Sequence, residues 1–225
     1  LGGSNAFIVL EDANLEKAVA TAVNARMQNA GQSCIAAKRF LVHENIVEEF
    51  VAKLKVAIQN LKTGNPFDKE MQIGSLARVD LAEELEAQVQ KSIQMGADLI
   101  VGGTRKEAFY EPTILANVTT EMPVFNEETF GPVASIITFK TLEEAIELSN
   151  QSEFGLGVSI FTQDIDFIKT KISAFNEGAV FINDMVKSDP RLPFGGIKKS
   201  GYGRELAEDG IKEFVNVKTV VINTF

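Results

Sequence analysis

Short β-branched and aromatic runs alternate with longer stretches in which apolar residues recur three and four positions apart. This is the rhythm of a parallel α/β sheet, in which each strand feeds a covering helix. Phe7 to Leu10 reads as a buried strand, and Leu15 to Gln28 follows as a helix with Leu15, Ala18, Val19, Ala22, Val23 and Met27 on one stripe. Arg39 to His43 alternates like a strand, and Ile46 to Leu61 carries a second apolar stripe that Gly64-Asn65-Pro66 ends. A third helix is predicted from Ala77 to Gln94 with Gly96 closing it, and Asp98 to Val101 starts the next strand. Tyr110 to Val118 reads as extended, Met122 to Gly131 as an ordered loop, and Pro132 to Phe139 as the clearest strand. Thr141 and Glu144 have capping-box spacing, so a helix begins there; strand, helix and strand follow at Gly157–Thr162, Asp164–Phe175 and Ala179–Asn183. Phe214 to Ile222 has high β-propensity but no helix after it, and is expected to pair as a strand with another subunit.

Length changes this picture little: 225 residues leave room for one large α/β unit and an appendage. Composition is that of an ordinary globular protein, 45% hydrophobic and 24% charged, so a core forms without disulfides. Charge excludes more. With 22 Lys and Arg against 31 Asp and Glu the formal balance is −9, which argues against nucleic acid and anionic membrane as partners. No apolar run approaches the roughly 18 residues of a membrane helix, and a cytoplasmic setting is expected.

A single cysteine and a single histidine leave no disulfide and no metal centre to expect, and make Cys34 the residue to explain. It stands in Asn29-Ala30-Gly31-Gln32-Ser33-Cys34, a loop between helix and strand, where rigid neighbours can fix a nucleophile that stays reachable. Its bland alternative is a small buried hydrophobe, although the glycine and polar flanks speak against that. His43 ends a strand nine residues on and reads as a surface residue rather than a base for Cys34. Glu127-Glu128-Thr129-Phe130-Gly131-Pro132-Val133 places two carboxylates and a loop aromatic before a buried strand. Pro193 to Arg204 is rich in glycine, for a tight loop or for close backbone approach to a ligand or subunit. Gly196 to Gly201 resembles a phosphate loop only superficially, and no Gly-x-Gly-x-x-Gly follows a strand.

Taken together, Leu1-Gly2-Gly3, Gly31-Gln32-Ser33-Cys34, Glu127 to Val133, Pro193-Phe194-Gly195-Gly196 and Gly203-Arg204-Glu205 resemble, in order, the motifs of the aldehyde dehydrogenase superfamily. The resemblance runs from Leu1 to Phe225. It implies a three-layer α/β fold, an open, mostly parallel sheet with helices on both faces, and a C-terminal oligomerisation strand. Residues 1–210 would be the catalytic domain and 211–225 the oligomerisation tail, with an N-terminal NAD(P)-binding domain outside this chain. Cys34 would attack an aldehyde to form a thiohemiacetal, pass hydride to NAD or NADP, and release the acid from a thioester. The Cys34 amide would stabilise the oxyanion, Glu128 would hold the nicotinamide ribose, Phe130 would pack near the nicotinamide, and Glu205 would sit in the proton path.

The family's general base is the Glu before Leu-Gly-Gly, one residue upstream of Leu1, so the isolated chain is expected to be inactive. The segments Val186 to Gly196 and Lys199 to Leu206 look most like bacterial succinate-semialdehyde dehydrogenases. Arg191 would then meet a substrate carboxylate and Ser188 would hydrogen-bond it, the alternative for Arg191 being a surface ion pair. A homodimer or homotetramer is the expected assembly. Two other classes stay open: a thiol esterase or hydrolase, separable by cofactor dependence, and a non-catalytic assembly module, separable by electrophile labelling of Cys34.

Overall fold

A computed structural model describes residues 2–224; Leu1, the first residue of the Leu-Gly-Gly motif, and Phe225 lie outside them. The chain opens with β1 (Asn5–Val9), α1 (Leu15–Met27), β2 (Ala37–His43) and α2 (Val47–Gln59). Next come α3 (Val79–Gln94), β3 (Asp98–Val101), the short pair β4 (Arg105–Lys106) and β5 (Phe109–Tyr110), and β6 (Thr113–Ala116). Then follow α4 (Pro123–Asn126), β7 (Val133–Phe139), α5 (Leu142–Asn150), β8 (Phe154–Gly155) and β9 (Val158–Phe161). The last elements are α6 (Ile165–Lys169), β10 (Val180–Ile182), β11 (Ile197–Lys198) and α7 (Ala207–Lys212).

Seven strands form one sheet in the order β10-β9-β1-β2-β7-β6-β3. All neighbours pair in parallel except β3, which runs antiparallel to β6 at one edge. Every residue of β1 is buried, as are Ala37 to Val42 in β2, so both faces of the central strands are covered. Phe7 stacks on Phe161 at 4.6 Å and tilts against Phe40 at 5.2 Å, tying three adjacent strands through one aromatic cluster. Helix α1 rests on α2 and brings Ala18, Val19, Ala22 and Ala25 to the core. At the start of α5 the Thr141 side chain accepts from the Glu144 amide while Glu144 accepts from Lys140 N, a capping box displaced by one residue.

Several segments differ from the periodicity, among them the short α7 and the β8–β11 pair, which it does not predict. The expected loop at Met122–Gly131 contains the single turn α4, because Pro123 at its first position fixes a helical φ at no cost in hydrogen bonds. The helix expected over Asp164–Phe175 stops at Lys169 and resumes as a 3₁₀ turn at Ile172–Ala174; the Thr170 hydroxyl bonds back to Phe167 O at the break. β4 and β5 form a hairpin too short to leave a pattern. Phe214 to Ile222 forms no strand within the single chain, and Phe214, Val217, Val220, Val221 and Ile222 are exposed. Among the described residues no helix is long and apolar enough to cross a membrane.

Candidate active site

Cys34 lies just before the amino end of β2 and is exposed, whereas His43 closes the other end of that strand, about 20 Å away at strand rise. His43 is occupied there: one ring nitrogen faces Lys140 O at 3.0 Å and the other accepts from Asn45 N at 3.3 Å. It takes no part in the thiol's surroundings.

The loop that presents the thiol is held in an unusual backbone. Asn29, Ala30 and Gly31 have φ of 53°, 52° and 75°, three successive left-handed residues after α1 ends at Met27. Asparagine and glycine adopt this region readily, but alanine does so at a cost of about 1–2 kcal/mol, which the surrounding structure must impose. Gly31 is required for a second reason: a Cβ there would lie 2.3 Å from Gly131 O, so two motif loops pass backbone against backbone. Arg26, fully buried in the last turn of α1, ties the same two loops, donating to Gly31 O at 2.5 Å and toward Thr129 O at 3.5 Å. Burial lowers its guanidinium to about 9, with Glu128 opposing, so it remains charged at neutral pH.

Glu128 is fixed at one oxygen. Its Oε1 accepts from Gly3 N at 3.0 Å and lies 3.4 Å from Lys38 Nζ, while Oε2 has no hydrogen-bond donor among the described residues. Glu127, its neighbour, accepts from Gln88. Phe130, beyond Thr129, keeps its ring partly exposed with the Lys38 ammonium 6.0 Å from its centroid. The Gly2-Gly3 segment threads between these groups: a Cβ on Gly3 would meet Cys34 O at 2.4 Å, and one on Gly2 would meet Glu128 Oε2 at 2.5 Å. A side chain at Gly3 would have to move the Cys34 loop, whereas one at Gly2 would displace the Glu128 carboxylate.

The glycine-rich segment closes the site from the far side. Phe194 and Glu205 exchange backbone hydrogen bonds, and Ser200 Oγ donates to Gly2 O at 2.7 Å. A cavity of about 370 Å³ results, bordered by Gly2, Cys34, Phe194, Arg204, Glu205 and Phe214 among others, a size suited to a small ligand. Cys34 and Glu205 therefore share one cavity, as close backbone approach around the glycines allows. Ser188 and Arg191 do not border it. Ser188 is exposed, and the exposed Arg191 guanidinium pairs with Asp189 at 2.6 Å, each holding the other charged. The cation on the cavity wall is Arg204, whose Nη1 donates to Gly196 O and Gly203 O.

Two buried cations carry this arrangement and went unmarked as site residues in the sequence. Arg26 stands four residues after Ala22 on the apolar stripe of α1, a charge at a core position. Lys38, the second, stands in a central strand where neither face is open to water. Such placements are the readable signal of buried, partnered cations.

The aldehyde dehydrogenase family profile matches residues 1–220. The chain belongs to the aldehyde dehydrogenase family. Over 223 residues it is 50% identical to the Escherichia coli succinate semialdehyde dehydrogenase [NAD(P)+] Sad, covering 98% of this chain and 48% of that protein. A probable succinate-semialdehyde dehydrogenase [NADP(+)] from Synechocystis is 51% identical over 225 residues, covering 99% of this chain and 50% of that one. The solved structure of a Methanocaldococcus jannaschii glyceraldehyde-3-phosphate dehydrogenase in complex with NADP superposes with a TM-score of 0.95 at 39% identity. That likeness covers 100% of this chain and 49% of the solved one, so this aldehyde dehydrogenase chain spans about half the length of the relatives it matches.

Proposed function

We propose that this chain carries the nucleophile half of an NAD(P)-dependent aldehyde dehydrogenase acting on succinate semialdehyde, with Cys34 as the nucleophile and Glu205 in the proton path. One observation carries the reading: an exposed thiol opens on a cavity shared with Glu205, beside a loop that offers a free carboxylate oxygen and an exposed ring. The nicotinamide riboside end of a dinucleotide fits those residues. Glu128 Oε2 can accept ribose hydroxyls, and Phe130 offers an apolar face to a flat ring.

Cys34 Sγ attacks the aldehyde carbon, and the carbonyl oxygen takes up negative charge that the Cys34 N–H can meet. That N–H has no other acceptor among the described residues. When bound, the nicotinamide supplies the acceptor for the hydride that turns the cysteine adduct into a thioester. Cys34 then leaves as thiolate when water adds to the acyl carbon, and Glu205 on the cavity wall can relay a proton to bulk solvent.

The substrate assignment rests on the names of the relatives, with Arg204 the cation on the cavity wall. Arg191 and Ser188 are the candidates that the sequence offers for the distal carboxylate, a role in which Arg191 would have to leave Asp189 and turn toward the cavity. The exposed apolar residues from Phe214 to Ile222, unpaired within the chain, support a homodimer or homotetramer built by strand exchange, and a thiol that must stay reduced supports a cytoplasmic setting.

The test is reduction of NADP+ by the full-length protein. Turnover of succinate semialdehyde should vanish in Cys34→Ala, and Arg191→Ala should raise KM for succinate semialdehyde more than for an uncharged aldehyde. Turnover that survives Cys34→Ala, or acid formation without cofactor, would sink the dehydrogenase reading. Equal KM effects would remove Arg191 from the substrate.

A further inference from the structure

Lys38 is fully buried at the start of β2, yet its ammonium faces no solvent and no single partner. Nζ lies 3.0 Å from Ser33 O, 3.2 Å from Cys34 O and 3.3 Å from Ala36 O, so three carbonyls of the nucleophile loop converge on it. Glu128 Oε1 stands 3.4 Å away on the other side. Four oxygens around one nitrogen match the three protons of an ammonium; a neutral amine would turn its lone pair on an acceptor. The bond is shared with Gly3 N, which reaches the same Oε1, and both donors thereby leave Oε2 free. Removing one member of a buried ion pair leaves its oxygen partners without a donor, so Lys38 holds whatever carries those oxygens. Here its removal separates two loops that hold different reacting groups.

We propose that Lys38 is a positioning residue that clamps the Cys34 loop to one oxygen of Glu128, fixing nucleophile against cofactor and presenting the other oxygen to the nicotinamide ribose. This rests on Glu128 as the ribose-holding residue. The titratable side chains that act on the ammonium are Glu128 from the loop before β7, in contact with it, and Arg26 from α1 and Cys34 from its own loop, through their charge. Burial first, then Arg26, pull the Lys38 amine down to about 7, against Glu128 and Cys34, which pull it up. The clamp therefore loosens as pH rises through neutrality.

Equilibrium binding of NADPH to the full-length protein, followed by nucleotide fluorescence, tests this in a double-mutant cycle of Lys38→Met and Glu128→Gln. Each single change should weaken binding roughly tenfold, the scale of one charge-assisted hydrogen bond, and the double variant should bind about as each single one does. Wild-type affinity in Lys38→Met beside weakened Glu128→Gln overturns the clamp and leaves the ribose role standing. Effects that multiply to about a hundredfold overturn it as well. Wild-type affinity in Glu128→Gln removes the ribose role and the clamp with it. Should Lys38→Met fail to fold, Lys38→Gln, which fills the site without the charge, takes its place in the cycle and is read by the same outcomes.

Discussion

Gly3→Ala is the smallest change that the site's geometry converts into a loss of rate. The new Cβ would sit 2.4 Å from Cys34 O, where ordinary contact begins near 3.4 Å, so one of two backbones must yield by about 1 Å. Gly3 cannot retreat freely, because its N–H is bonded to Glu128 and Asn5 two residues on is locked in β1. The Cys34 loop is left to move, and displacement of a nucleophile by about 1 Å costs on the order of a hundredfold in rate, about 2.7 kcal/mol. The assay is kcat/KM of the full-length protein beside the rate of Cys34 alkylation by iodoacetamide, with a thermal melt to confirm folding. Gly74→Ala is the control, since its Cβ meets only Pro66 at 3.5 Å and no special φ. If Gly3→Ala keeps wild-type kcat/KM while folded, the passage of Gly2-Gly3 between thiol and carboxylate does not set the nucleophile.

Two further outcomes follow from the buried cations. Arg26→Met should lower unfolding free energy by about 2–3 kcal/mol in urea titrations, because Gly31 O and Thr129 O lose their donor in a dry interior; a change below about 0.5 kcal/mol would contradict the bridging role. Lys38 makes stability depend on pH with a definite sign. Between about pH 7 and the ordinary lysine value of 10.5 the folded amine holds fewer protons than the unfolded one, so stability rises with pH by up to about 1.4 kcal/mol per unit. Below pH 7 both states are protonated and this contribution is flat. The difference between wild type and Lys38→Met in urea series at pH 6 to 10 isolates it, and parallel curves would show that the ammonium titrates normally.

Much of the scaffold was legible because its signals are local and strong. The stripe from Leu15 to Met27 became α1 with bounds within one residue, and Thr141 capped α5 as its spacing required. Thr170 broke α6 through a hydroxyl-to-carbonyl bond that no periodicity encodes. The antiparallel setting of β3 depends on which edge the chain reaches, a tertiary choice. Among site residues, Cys34 and Glu205 were placed by motif and share a cavity. Arg26 and Lys38 escaped because their partners are mostly backbone carbonyls, which carry no side-chain signature. Their one trace was a charge where the pattern called for an apolar residue.

The position of Cys34 at the amino ends of the strands sets an electrostatic problem. Helix α1 runs against the strands and delivers its carboxyl end to the nucleophile loop, a partial negative charge of about half a unit. In the proposed reaction, negative charge that develops on an aldehyde oxygen or a departing sulfur is therefore opposed by the very helix that leads into the site. Arg26 in the last turn of α1 and Lys38 across the loop oppose that field from within the protein, where water screens them little. Two interior side chains thus offset the helix at this end of the sheet, and a neutral residue at either would weaken that offset.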